Sequence, residues 1–223
     1  MKTEKIVLAI ETSLKQGSLT LFCGGDEIGD WQGTESVSRS EDLVLGIQQL
    51  FDKNRLNIQQ LDLIAASLGP GSFTGLRVGL AIAKGLNLAT NCQLRGVSIL
   101  SAMAFYQCQQ IRLSPINLFC VVSAGRGHLY YQTFTIEKQL IRRYSEIQIT
   151  PENMFYEKLS GAREAVVITE ANMELALIKV KDLGFELITI KESLSKYIGQ
   201  YAVSKYLETG EVQKFSPIYV REI

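Results

Sequence analysis

The chain has 223 residues, of which 46% are apolar and 21% charged, and 23 basic side chains balance 23 acidic ones. This length suits one large domain or two lobes of roughly 100 residues each, and it excludes a small scaffold that depends on disulfides or metals. The composition excludes disordered, collagen-like and coiled-coil chains, and the balanced charge provides no overall positive field that would bind RNA without a partner.

The first hundred residues predict the order β-β-β-α-β-α. The three strands, separated by turn residues, are predicted at 5–10, 18–22 and 27–35. Ser40 precedes two acids and an apolar series, which predicts an N-capped helix over 41–53. The aliphatic run at 61–68 predicts a buried strand, and the glycine turn after it opens a second helix from about 72 to 89.

The second half repeats the opening pattern. Its hairpin at 117–136 corresponds to the hairpin at 5–22, which predicts two related lobes. The elements expected after it are a strand at 165–169, a helix at 171–183, a strand at 186–190 and a helix at 192–208. The helical stretch 98–112 joins the halves, so the lobes are placed at 1–103 and 104–223, with a C-terminal segment able to pack back on the first lobe.

The turn of the first hairpin carries an acid and several hydroxyls, and its residues are Glu11, Thr12, Ser13, Gly17 and Ser18. Such a loop can hold a phosphate with its amides and hydroxyls while the carboxylate holds a magnesium-bound water. It can equally be a polar hairpin whose hydroxyls bond their own backbone. The residues alone leave both interpretations open.

A glycine-rich segment at 67–80 runs from a strand into a helix, where free amides attract anions. It is not a P-loop, because Leu76 and Arg77 follow Gly75 where that motif needs Lys and Ser or Thr. Within the helix, Gly75, Gly79 and Ala83 recur at every fourth residue and form a stripe for close contact. Each helical glycine costs about 1 kcal/mol, so close contact should compensate, either internally against the lobe's own sheet or at a subunit interface.

Other catalytic chemistry is missing from the sequence. The four cysteines, Cys23, Cys92, Cys108 and Cys120, are scattered, and His128 is the single histidine, so no zinc site and no histidine-activated serine is expected. At the base of the second hairpin Ser123 stands where the first has Glu11. No signal peptide or membrane span is found, which predicts a reduced, cytoplasmic protein.

The segments 6–13 with Gly17 and Ser18, 69–79 and 96–98 closely resemble the TsaB (YeaZ) family of bacteria. The glycine-rich segment is the most specific match. A weaker similarity continues through the second hairpin to residues 217–221, so the resemblance spans nearly the whole chain.

The resemblance implies a two-lobed, actin-like ATPase fold (ASKHA, RNase H-like) of the α/β class with mixed sheets. It implies a role in making N6-threonylcarbamoyladenosine at tRNA position 37 (t6A37), as the noncatalytic partner of TsaD, a paralogue whose metal is held by two histidines. The ATPase TsaE joins the pair, and tRNA is reached through the complex. No cofactor is required, and ATP or ADP with magnesium is expected only in the complex.

Family members pair with TsaD, or with themselves as homodimers, through the helices that correspond to 41–53 and 72–89. The interface residues implied here are Leu43, Ile47, Phe73, Gly75, Leu76, Gly79, Leu80 and Ala83. Gly79→Leu is the test, since a bulky side chain abolishes pairing if the stripe faces a partner and leaves it unchanged if the stripe packs internally.

The chain also departs from the family, because Ser123 and Gly125 stand where many members carry Asp and Arg, with Arg126 one place along. That departure puts a role of the second hairpin in tRNA or nucleotide contact in doubt. The alternative function is an independent phosphotransferase or peptidase of the same fold, which would bind nucleotide through Glu11, Thr12 and Ser13. Direct RNA binding is a third alternative, and the balanced charge disfavours it.

Overall fold

The computed structural model describes residues 4–33, 40–110, 116–162, 165–174, 176–209 and 215–220. The chain divides into two compact units, Met1–Ile99 with Glu192–Ile218, and Leu100–Lys191 with Tyr219–Ile223. Contacts group residues 192–218 with the first unit, and the sequence-based division at residue 103 left room for such a return of the C-terminal segment.

The strands are β1 (Ile6–Glu11), β2 (Ser18–Cys23), β3 (Asp26–Gln32), β4 (Leu61–Gly69), β5 (Gln93–Ser98), β6 (Ile116–Gly125), β7 (His128–Glu137), β8 (Leu140–Arg143), β9 (Gln148–Pro151), β10 (Ala165–Glu170) and β11 (Glu186–Ile190). The helices are α1 (Ser40–Lys53), α2 (Phe73–Thr90), α3 (Ile99–Gln110), α4 (Glu152–Ser160), α5 (Lys179–Asp182) and α6 (Leu194–Thr209). Short 3-10 turns lie at Ile58–Gln60 and Ala171–Met173.

One predicted helix, 171–183, is wrong. A 3-10 turn and the single-turn α5 take its place, because the Glu170 carboxylate accepts the Asn172 N–H and closes a tight turn. Leu177 and Val180 are still buried. The two short turns therefore direct inward the apolar side chains whose spacing suggested a helix. The predicted strand end at Glu35 and the residues 111–112, 38–39 and 221 lie outside the described residues.

The two sheets have the same topology. The first has the order β3-β2-β1-β4-β5, and the second runs β8-β7-β6-β10-β11, with β9 pairing β7. In each sheet the first hairpin strand is antiparallel to the second and parallel to the next strand on its other side. The predicted duplication of the hairpin and its α/β continuation is confirmed.

The first unit covers both faces of its sheet, and β1 is consequently buried along its whole length. On one face Leu8 and Ile10 join a core cluster with side chains of α1 and α2. On the other face α6 approaches closely at Gly199, where a Cβ would overlap the Phe22 ring and lie 3.0 Å from the Ala9 Cβ. The chain must therefore return from residue 191 to complete this unit.

The second unit has an aromatic core between its sheet and α4. Phe155 makes edge contacts with Phe119, Tyr131 and Tyr156, at centroid distances of 6.2, 5.5 and 5.8 Å.

Among the helices of the described residues, none has the length and apolarity needed to cross a membrane.

Candidate functional site: the loop after β1 and the start of α2

The loop after β1 and the glycine turn after β4 meet at one edge of the first sheet. They meet because β1 and β4 are parallel neighbours and end on the same side. The Ser72 N–H donates to the Ser13 carbonyl oxygen at 2.7 Å, and the Ser72 side chain caps α2 by accepting the Gly75 N–H at 3.2 Å. Gly69 adopts φ 92° in the turn, a conformation that favours glycine.

The Glu11 carboxylate accepts hydrogen bonds from donors of its own loop. Its Oε1 accepts the Ser13 N–H and the Ser13 hydroxyl, each at 2.5 Å, and the Leu14 N–H at 3.2 Å. The Ser13 hydroxyl also lies 3.1 Å from Ser67 Oγ, which accepts the Gly69 N–H at 3.1 Å. The amides and hydroxyl that could bind a phosphate are thus directed at an internal carboxylate.

The structure brings together the five residues predicted for this loop and buries all of them. Glu11 is only 1% exposed, and Thr12, Ser13, Gly17 and Ser18 are buried as well. The exposed residues of the loop are Lys15 and Gln16, which the sequence analysis did not single out. Of the two interpretations given for this loop, the hydrogen bonds match the self-bonded hairpin.

The small-residue stripe of α2 faces this loop. A Cβ on Gly75 would overlap the Thr12 carbonyl oxygen, and a Cβ on Gly79 would overlap the Thr12 hydroxyl and lie 3.1 Å from its Cγ2. Ala83, the third member, is fully buried. Internal packing therefore accounts for the stripe, although Gly75 and Gly79 contact the loop after β1 rather than the sheet that the sequence suggested.

The residues offered as a partner interface need a corresponding correction. Leu43, Ile47, Leu76, Leu80 and Ala83 are buried, and four of them belong to the core cluster of the first unit, because the regular apolar face of an amphipathic helix is the face that packs inward. Of that set only Phe73 is exposed.

Besides Phe73, the outward faces of α1 and α2 carry exposed apolar residues that the sequence analysis missed. Val44, Leu45, Phe73 and Leu88 are 52%, 53%, 49% and 86% exposed. The Arg77 guanidinium carbon lies 3.7 Å from the centre of the Phe73 ring, which holds this exposed ring against the helix. These side chains interrupt the polar side of each helix, a signal that a helical projection of the sequence could have revealed.

The turn of the second hairpin offers little comparable chemistry. Ser123, Gly125 and Arg126 are exposed, and Ser123 Oγ accepts the Gly125 N–H at 3.1 Å. His128 Nδ1 lies 3.1 Å from the Arg126 carbonyl oxygen. The Ser123 side chain therefore serves the local turn, and it provides no carboxylate where the first hairpin has one.

A metal held by two histidines does not fit this chain, which has one histidine in its full sequence. Over the described residues no group of three or more His, Cys, Asp or Glu side chains could hold a metal ion. The thiols of Cys23, Cys92, Cys108 and Cys120 are free, and burial raises the pKa of each, which disfavours the nucleophilic thiolate.

Comparison with solved structures confirms the predicted fold class. YeaZ from Pseudomonas aeruginosa superposes with a TM-score of 0.73 at 16% identity, covering 97% of this chain and 100% of that one. The activator of the 2-hydroxyisocaproyl-CoA dehydratase from Clostridium difficile, with bound ADPNP, gives a TM-score of 0.54 at 9% identity, covering 94% and 98%. The two matching mixed sheets and these neighbours define an actin-like ATPase fold.

The chain belongs to the family described as "TsaD: tRNA N6-adenosine threonylcarbamoyltransferase", whose model matches residues 35–207. The transferase of that name from Lawsonia intracellularis is 31% identical over 56% of this chain and 39% of its own length, so this chain spans well under two thirds of that relative. TsaB from Buchnera aphidicola subsp. Baizongia pistaciae is 24% identical over 98% of this chain and 99% of its own length. The resemblance to the TsaB (YeaZ) proteins is confirmed.

Proposed function

We propose that this chain acts in the formation of t6A37 as the noncatalytic subunit that pairs with TsaD. The family match and the full-length similarity to a protein named for threonylcarbamoyladenosine biosynthesis support the pathway. The observation that carries the noncatalytic assignment is the Glu11 carboxylate, which accepts three donors of its own loop.

The closed loop argues against nucleotide chemistry by the chain alone. A phosphate entering the loop would need the N–H and O–H donors that now bond the Glu11 carboxylate. The phosphate and the carboxylate would then be two like charges buried side by side, which is unfavourable. Gly75 and Gly79 of α2 also pack closely against Thr12, so the space beside this residue is already filled by the chain itself. ATP or ADP with magnesium is accordingly proposed to bind only once the complex has formed, with no cofactor required by the isolated chain.

The proposed docking surface is the outward face of α1 and α2, represented by Val44, Leu45, Phe73 and Leu88. Exposed apolar side chains concentrated on neighbouring elements are typical of protein interaction sites. Burying an exposed Leu or Phe at an interface contributes about 1.5–3 kcal/mol for complete burial. On this proposal TsaD covers the surface in the complex, a second copy covers it in isolation, TsaE joins the pair, and tRNA is reached through the assembly.

The test is molar mass by light scattering after size exclusion, for this protein alone and mixed with TsaD of the same organism. We expect a mass of one copy of each protein in the mixture. Leu45→Glu and Phe73→Glu should abolish that species, because each places a charge in the proposed interface. Met154→Glu is the matched control, since Met154 is similarly exposed but lies in the second unit.

Two results would overturn the proposal. The first is separate elution of the two proteins in every nucleotide condition, with and without TsaE. The second is normal pairing by Leu45→Glu and Phe73→Glu, which would move the interface away from α1 and α2.

The phosphotransferase alternative has a direct test of its own, calorimetry of the isolated chain with ATP and magnesium. The ADPNP-bound neighbour shows only a shared fold, so our expectation of weak binding or none rests on the closed loop. Saturable binding that is lost in Glu11→Gln would favour the enzyme. For direct RNA binding, the corresponding sign would be steeply salt-dependent binding of tRNA by this chain alone.

A further inference from the structure

A cavity of about 430 Å³ opens in the second unit, and none of its lining residues belongs to the candidate site described above. Its lining comes from β6, β7, the β8–β9 connection and α4, and includes Phe119, Tyr131, Tyr144 and Lys158. This volume falls within the range of about 300–1,000 Å³ that is common for small-molecule sites.

The aromatic walls of this cavity are held rigidly. The Phe119 and Tyr131 rings stack at a centroid distance of 6.3 Å with 23° between their planes. Both are buried, and Phe155 contacts each of them from the core side. The parts of these two rings that line the cavity are therefore fixed in place, while Tyr144, 82% exposed, also lines the cavity.

Lys158 gives the cavity a positive charge, and within the described part of the chain no carboxylate is paired with it. Its Nζ donates to the Tyr131 hydroxyl at 2.6 Å and to Gln148 Oε1 at 2.8 Å, and the Tyr131 hydroxyl donates in turn to Gln148 Oε1. Among the described residues no Asp or Glu oxygen lies within 4.0 Å of this ammonium. Two neutral oxygens thus orient the cation and leave its charge and one donor for a ligand.

We propose that this cavity binds a small organic anion with an aromatic body. The ring lies on the wall of Phe119 and Tyr131, and the acid group pairs with Lys158, whose position is fixed by Tyr131 and Gln148. Charge-assisted hydrogen bonds are the stronger class, so the lysine supplies the selectivity for an anion and the rings supply the contact area. The site is independent of the proposed pairing surface, which lies on the other unit.

The experiment is a titration of the isotope-labelled full chain with 1-naphthoate, followed by amide NMR shifts. We expect saturable shifts confined to residues around the cavity, such as Phe119, Thr133 and Ser145. Lys158→Gln should weaken binding about tenfold or more, and Lys158→Arg should restore it to within about threefold, because the charge and donors return. Neutral 1-naphthalenemethanol should bind the wild type and Lys158→Gln equally.

Lys179→Gln is the matched control. Lys179 is also exposed on the second unit, with its Nζ 4.9 Å from the centre of the Tyr156 ring, but it does not line the cavity. We expect unchanged naphthoate affinity in this variant. The proposal is overturned if the shifts map to α1 and α2, if Lys158→Gln binds as tightly as Lys179→Gln, or if no shift develops at millimolar naphthoate.

Discussion

At the level of single residues, Thr12 explains two glycines of α2. Gly75 and Gly79 leave the space that the Thr12 carbonyl and hydroxyl occupy, whereas nothing lies within 4 Å of a Cβ built on Gly85 in the same helix. Substitutions at these three glycines can therefore distinguish the effect of close packing, at Gly75 and Gly79, from the effect of helix propensity, at Gly85.

Gly75→Ala should destabilise the first unit by about 1–3 kcal/mol, because the overlap is with backbone and cannot be relieved by a rotamer change. Gly85→Ala should instead stabilise it by about 0.5–1 kcal/mol through helix propensity. Urea unfolding followed by fluorescence of Trp31, the single tryptophan, measures both. Equal effects of the two substitutions would mean that the loop does not lie against α2.

Glu11→Gln tests the internal carboxylate. The amide keeps one acceptor oxygen for the three donors but loses the negative charge that strengthens these bonds, and we expect a loss of about 1–3 kcal/mol in unfolding free energy. The control is Glu157→Gln, an exposed position on α4 of the second unit, where the change should stay within about 0.5 kcal/mol. Thermal unfolding of both variants at one pH gives the comparison.

At the level of elements, α6 is held to the first sheet by hydroxyl groups as well as by close packing. Ser195 Oγ lies 2.7 Å from Thr20 Oγ1 and 2.6 Å from Ser193 Oγ, and Ser195 and Thr20 are fully buried. The hydroxyl of Ser204, by contrast, donates to the Tyr201 carbonyl oxygen within the helix itself.

Ser195→Ala should cost about 1–2 kcal/mol, since it leaves the buried Thr20 hydroxyl without this partner. Ser204→Ala should change stability by no more than about 0.5 kcal/mol. Hydrogen exchange of the β1 and β2 amides is the measurement, because those strands contact α6. Faster exchange in both variants alike would indicate a general weakening of α6 rather than a specific bond.

Much of this element level could be predicted from the sequence. The bounds of α1 and α2 and both hairpins are fixed by local signals such as the Ser72 cap, apolar periodicity and turn residues. The short strands β8 and β9 were not predicted, because neither has a fully buried residue or a strong alternation of buried and exposed residues. The segment that the glycine stripe contacts could not be predicted, because the spacing of small residues does not distinguish a partner helix from a loop of the same chain.

At the level of the whole molecule, the second unit is an insertion between Ile99 and Glu192 of the first. The second unit is nearly continuous in sequence, whereas the first needs α6 to cover the buried face of β1. The sequence allowed a return of the C-terminal segment but could not define it, because the hairpin repeat marks where each sheet begins and carries no signal for which later helix packs on the first sheet.

A fragment of residues 100–191 should therefore fold alone, whereas residues 1–99 should fold only when a peptide of residues 192–218 is added. Near-ultraviolet circular dichroism reports the aromatic cluster of the first fragment, and Trp31 fluorescence reports the second. Cooperative unfolding of residues 1–99 without the peptide would contradict the arrangement.

The late position of α6 also sets an order for synthesis on the ribosome. The nascent chain exposes the apolar strands of the first sheet long before the helix that covers them has been translated. At about 5–20 residues per second the wait between β1 and α6 is roughly 10–40 s, because the whole main segment of the second unit is translated between them. The nascent first unit is consequently an exposed chaperone substrate until α6 emerges from the exit tunnel.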